Sequence, residues 1–107
     1  MGYKGTVFIS GKISSLPREV YLKNFREASF MLKDHGYRVI NPAKVGQTIP
    51  QDMPYKCYMD IAFTLLKYCD YIYFLKNADE SNGSKMEREY AMNHGIKVLT
   101  DDELRKN

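Results

Sequence analysis

Apolar residues fall along the chain in two alternating rhythms, short continuous runs and longer stretches at helical spacing, with glycine and proline between them. Residues 6–10, Thr-Val-Phe-Ile-Ser, form a short apolar run closed by Gly11, the pattern of a strand buried on both faces. Across residues 18–35, Tyr21, Phe25, Ala28 and Leu32 recur at helical spacing between Pro17 and Gly36, which predicts a helix. Residues 37–40 read as a second strand, stopped by Asn41 and Pro42. Residues 43–53 carry Gly46 and Pro50 and no period, so a loop is expected there, of a length more often functional than idle. Residues 54–68 predict a second helix opened by Pro54, with Tyr55, Met59, Ala62 and Leu66 on one face. Residues 70–75 are the most strand-like run, and a loop at 76–83 precedes a helix expected over 84–94, ended by Gly95. Residues 96–99 give the last strand, and 101–107 a final helical turn or a frayed end.

Strands alternating with helices predict an α/β fold: a doubly wound, four-stranded parallel sheet of order 2-1-3-4 flanked by helices, flavodoxin- or Rossmann-like. The 107 residues suit a single domain, 1–107. In that order the crossovers reverse between the first and third strands, and ligands bind at the carboxyl ends beside such a switch point. Ser10, Gly11, Lys12 and Ile13 follow the first strand there, and residues 76–87 follow the third.

Charge adds exclusions. The net charge is +3, but the sixteen basic and thirteen acidic residues are interspersed, which describes a solvated surface and no polymeric nucleic-acid partner. No run approaches the roughly 18 apolar residues of a membrane span, and the N-terminus lacks a signal peptide's apolar region, so a cytoplasmic protein is expected, without a membrane partner. Cys57 and Cys69 lie twelve apart with no CxxC and no nearby His, so both read as small apolar residues, with no metal site and no redox pair.

Candidate chemistry gathers in the second switch-point loop. Ser81 and Ser84 supply hydroxyls, Gly83 permits close backbone approach, and the following helix offers unpaired N–H groups to an anion. Neither a P-loop nor a GxGxxG fingerprint is present. Glu87, in the first turn expected for that helix, would be kept ionised by the helix dipole, as a nucleophile requires. Ser84-Lys-Met-Glu87 is equally a capping box, and the residues alone favour the cap. Lys12 and Lys85 suit an anionic ligand. Asp60, mid-helix, reads as exposed; Glu89 reads as solvated; His35 and His94, each before a helix-ending glycine, read as partners of the last carbonyls. Five tyrosines, Tyr55, Tyr58, Tyr68, Tyr71 and Tyr73, fall at spacings that suit packing.

Three segments of the chain resemble one family. They are Phe8-Ile-Ser-Gly-Lys-Ile13; Val39-Ile-Asn-Pro-Ala43, with Asp60 and Asp70 after it; and Ser81-x-Gly-x-x-x-Glu87-x-x-x-Ala91 ahead of Gly95-Ile-Lys-Val. The family is that of the nucleoside 2-deoxyribosyltransferases and their N-hydrolase relatives acting on 2'-deoxynucleoside 5'-monophosphates. The resemblance implies a retaining two-carboxylate mechanism in which Glu87 attacks the anomeric carbon and forms a covalent glycosyl-enzyme. It implies that Asp60 assists the leaving base, that Ser81 and Gly83 hold a 5'-phosphate, and that Phe8, Ser10, Gly11, Lys12, Ile13, Asn41 and Ser84 line the substrate. It further implies a small nucleoside or nucleotide as partner, no cofactor, and a homodimer or larger homo-oligomer. Phe8 stands where the family carries tyrosine, so a hydroxyl expected near the sugar is absent, and a nucleotide-binding module without turnover is the alternative.

Overall fold

The computed structural model describes residues 2–106. Its strands are β1 (Thr6–Ser10), β2 (Arg38–Ile40), β3 (Tyr71–Phe74) and β4 (Lys97–Val98), and its helices are α1 (Arg18–Asp34), α2 (Pro42–Gly46), α3 (Tyr55–Leu66), α4 (Asn82–Asn93) and α5 (Asp101–Lys106). A short 3-10 turn, Ala78–Glu80, precedes α4. The sheet runs β2-β1-β3-β4 with every pair parallel, and Phe8 stands level with Ile40 on one side and Ile72 on the other. The doubly wound α/β order expected from the sequence is the order found.

Both faces of β1 are covered, which is why its run is continuously apolar. Val7 and Ile9 pack with Phe25, Ala28 and Leu32 of α1 on one face, joined by Leu99 and by Leu104 of α5. Phe8 packs on the other with Ala62 and Leu66 of α3, Ile72, and Ala91 of α4. Two helices end as their glycines require. Gly36 (φ 93°) and Gly95 (φ 70°) take the left-handed conformation after α1 and α4. The next N–H then folds back onto the helix, Tyr37 to the Leu32 carbonyl at 3.2 Å and Ile96 to that of Ala91 at 2.9 Å. His35 and His94 each place Nδ1 2.8 Å from a carbonyl of the last turn, as their positions imply.

Two boundaries differ from expectation because of helix caps. The segment read as a loop from residue 43 begins with α2, because Asn41 accepts the Lys44 N–H on its side chain at 3.2 Å and Pro42 occupies the first helical position. Helix α4 starts at Asn82, two residues earlier than expected, because Ser81 is its cap and accepts the Ser84 N–H at 3.1 Å. A reciprocal capping box does exist, at the other end of the chain. There Thr100 Oγ1 accepts the Glu103 N–H while Glu103 Oε1 accepts the Thr100 N–H, each at 3.2 Å. Among the described residues no helix is long and apolar enough to cross a membrane.

Candidate functional site

The two loops at the switch point are joined by a hydrogen bond: the Lys12 N–H donates to Asn77 Oδ1 at 3.0 Å. After β1 the chain turns through Ser15 at φ 73°, a left-handed serine at a cleft wall. The loops, the N-terminus of α4 and the segment from α2 to α3 enclose an open cleft of about 1140 Å³. Small-molecule pockets commonly span roughly 300–1,000 Å³, so the space is ample for one. Its lining mixes polar groups, Lys12, Ser81, Ser84 and Glu87 among them, with apolar ones such as Ile13, Val45, Ile49, Met53 and Met59.

Helix α4 turns Ser84, Glu87 and Ala91 toward the sheet. Ala91 meets the core, but Ser84 and Glu87 pass the end of β1, where the inward residue is Ser10, 1% exposed. The Ser10 hydroxyl donates to Glu87 Oε1 at 2.6 Å. Its single hydrogen is thereby used, so the 2.9 Å contact between the Ser10 and Ser84 hydroxyls carries Ser84's hydrogen. Glu87 is 8% exposed. Burial raises its carboxyl from an ordinary 4.5 to about 7, against the opposing pull of the Ser10 bond. Every fully buried side-chain nitrogen or oxygen among the described residues has a partner, so Oε2, which has none, is not fully buried, and Glu87 lines the cleft.

The Glu87 carboxyl is therefore not a cap. Ser81 holds that role, which places Glu87 well inside α4, beyond the first turn where dipole stabilisation is strongest. The ionised state expected from the dipole is opposed by burial. At the helix start, the Ser81 side chain accepts the N–H of Ser84 and its carbonyl that of Lys85, which leaves the N–H groups of Asn82 and Gly83 without an intrahelical acceptor. With Lys12, Arg18 and Lys85 on the cleft lining, this end suits an anion. Lys12 Nζ lies 3.2 Å from Glu80 Oε1.

The residues singled out from the sequence divide. Gly11, Lys12, Ile13, Ser81, Gly83, Ser84 and Glu87 share the cleft. Ser10 adjoins it from behind and touches the carboxylate, so a direct substrate contact is corrected to a supporting one. Gly11 also has a packing reason: a Cβ there would lie 2.4 Å from Leu75 Cδ1. Phe8 is corrected: it is 0% exposed, locked in the core between α3 and α4. Asn41 caps α2 and does not line the cleft. Asp60 is exposed, as its mid-helix position implied, and is not among the residues that line the cleft. Its side chain is 58% exposed and paired with Lys56 at 2.8 Å, whereas Tyr55, Tyr58, Met59 and Ala62 of the same helix line the cleft.

Tyr55 was hidden in the sequence because it opens a stripe at core spacing. That stripe continues past the sheet edge, so its lower members, Ala62 and Leu66, pack and its first faces the cleft. A methyl on Gly83 would lie 3.1 Å from the Tyr55 hydroxyl and 3.7 Å from Ser81 Oγ. Burial raises the Tyr55 phenol, and the Glu87 charge raises it further. Cys69 is buried, and burial pushes its thiol up to about 11, which leaves it unreactive. Among the described residues no group of three His, Cys, Asp or Glu side chains gathers as a metal site requires.

Comparison with curated proteins and with solved structures finds no match. Residues 5–100 match the family model described as "Domain of unknown function (DUF4406)", and the chain belongs to that family.

Proposed function

We propose that the protein cleaves the N-glycosidic bond of a 2'-deoxynucleoside or its 5'-monophosphate, by hydrolysis or deoxyribosyl transfer, through a glycosyl ester on Glu87. The observation that carries this reading is the Glu87 carboxylate, held by Ser10 at 2.6 Å on the floor of a cleft whose next feature is a helix N-terminus. Bonding Oε1 to Ser10 fixes the carboxylate plane and leaves Oε2 to attack the anomeric carbon. An anionic 5'-phosphate fits the free N–H groups of Asn82 and Gly83, and a flat base fits the apolar lining near Ile49 and Met53. Resemblance of the segments around Phe8, Asn41 and Glu87 to the nucleoside 2-deoxyribosyltransferases supports the same reaction.

Asp60, which the resemblance implies would assist the leaving base, is exposed and paired with Lys56. A second reading follows from that position: a module that binds the nucleotide without turning it over. Incubating the protein with each of the four deoxynucleoside monophosphates and following free base by chromatography separates the two. Base release supports the glycosidase. Saturable binding by calorimetry, with the nucleotide recovered intact, supports the module. We further propose a cytoplasmic protein that assembles into a homodimer or larger homo-oligomer, in keeping with the exposed Phe30, Tyr68 and Met92 side chains. A monomeric mass by light scattering would overturn the assembly.

A further inference from the structure

We propose that the Tyr55 hydroxyl is the acid that protonates the departing base, an inference that rests on the glycosidase reading above. A carboxylate nucleophile breaks a glycosidic bond fastest when a second group hands the leaving group a proton. The second carboxylate suggested by the sequence, Asp60, points to solvent and pairs with Lys56. Another donor in the cleft must take its place.

The candidates narrow by their existing bonds. Tyr58 donates to the Pro50 carbonyl at 2.6 Å, Lys12 to Glu80 at 3.2 Å, and Ser10 to Glu87 at 2.6 Å. Glu80 is mostly exposed and held by Lys12, and Lys85 shares α4 with the nucleophile. Tyr55 reaches from α3 toward the start of α4, and among the described residues no group is hydrogen-bonded to its hydroxyl. Gly83 leaves that hydroxyl room, since a Cβ there would lie 3.1 Å from it, a tight contact. Tyr55 and Glu87 line the same cleft. Burial, and after it the Glu87 charge, raises the phenol, which keeps it protonated before the reaction.

The step balances. Glu87 Oε2 bonds to C1' as the C1'–N bond breaks; its electron pair stays on the base nitrogen, which takes the Tyr55 proton. Water then attacks C1', gives its proton to the tyrosinate, and releases deoxyribose, or deoxyribose 5-phosphate from a monophosphate, and the Glu87 carboxylate.

The test uses leaving-group dependence in the wild type and Tyr55→Phe. One substrate is the best of the four deoxynucleoside monophosphates; the other is 4-nitrophenyl 2-deoxyriboside 5-phosphate, whose phenolate departs without a proton. The variant should lose roughly a hundredfold in kcat or more on the nucleotide, the scale of general acid catalysis, and retain near wild-type kcat on the nitrophenyl substrate. Equal losses on both substrates, or none on either, overturn the role of Tyr55. Wild type that turns over neither substrate overturns the glycosidase reading and this inference with it.

Discussion

At the scale of single residues, Glu87 sets a conflict between folding and chemistry. Its carboxyl is raised from 4.5 to about 7, so the folded chain binds this proton more tightly than the unfolded one. The stabilisation is complete below about pH 4.5 and lost as pH rises to about 7, beyond which the ionised carboxylate is buried at full cost. The interval corresponds to roughly 3 kcal/mol. Glu87→Gln should therefore unfold several degrees higher than wild type at pH 8 and gain little at pH 4, checked by thermal melts at both. The nucleophile must be ionised, so the rate should rise with pH through about 7. Ser10→Ala removes the bond that opposes burial and should move that midpoint upward in the pH–rate profile. Ser81 and Gly83 were legible from residue types and spacing, whereas Glu87 read from the residues as a cap and was raised above one only by the family resemblance. Ser10 was legible only as a neighbour, since a serine ending an apolar run does not state which face it takes. Tyr55 was illegible because cleft and core share one helical stripe.

Among the elements, caps decided where the sequence was misread. Ser-x-x-Glu occurs at 84–87 and Thr-x-x-Glu at 100–103, and only the second closes as a box. The first is pre-empted by Ser81, a good cap three residues upstream, and its glutamate is drawn inward by Ser10. Ser81→Ala should cost about 1 kcal/mol in chemical denaturation, the usual loss of a cap, and weaken nucleotide binding in the same protein. Gly11→Ala forces a Cβ to within 2.4 Å of Leu75 and should cost about 1–3 kcal/mol unless Leu75 turns aside. Helix α2 was written in the sequence as Asn-Pro, cap and first residue; its short length gave no apolar period to reveal it.

Across the whole molecule, topology did what no motif could. The order β2-β1-β3-β4 brings the end of β1 and the start of α4 together, so Ser10 meets Glu87 although 77 residues separate them. Alternation of apolar runs with helical stripes made that order legible, because right-handed crossovers leave few alternatives. Around α3 the residues alone read Asp60 as exposed, as it is, while its place in the site came only from the resemblance. Asp60→Ala should change stability by no more than about 0.5 kcal/mol, the range of an exposed pair, and leave base release as in wild type. The most direct measurement is the rate of free-base release from deoxynucleoside monophosphates by wild type and Glu87→Ala, side by side at pH 8. Loss of a covalent nucleophile should reduce release by at least about a thousandfold. Release at the same rate in both proteins would contradict Glu87 as the reacting group.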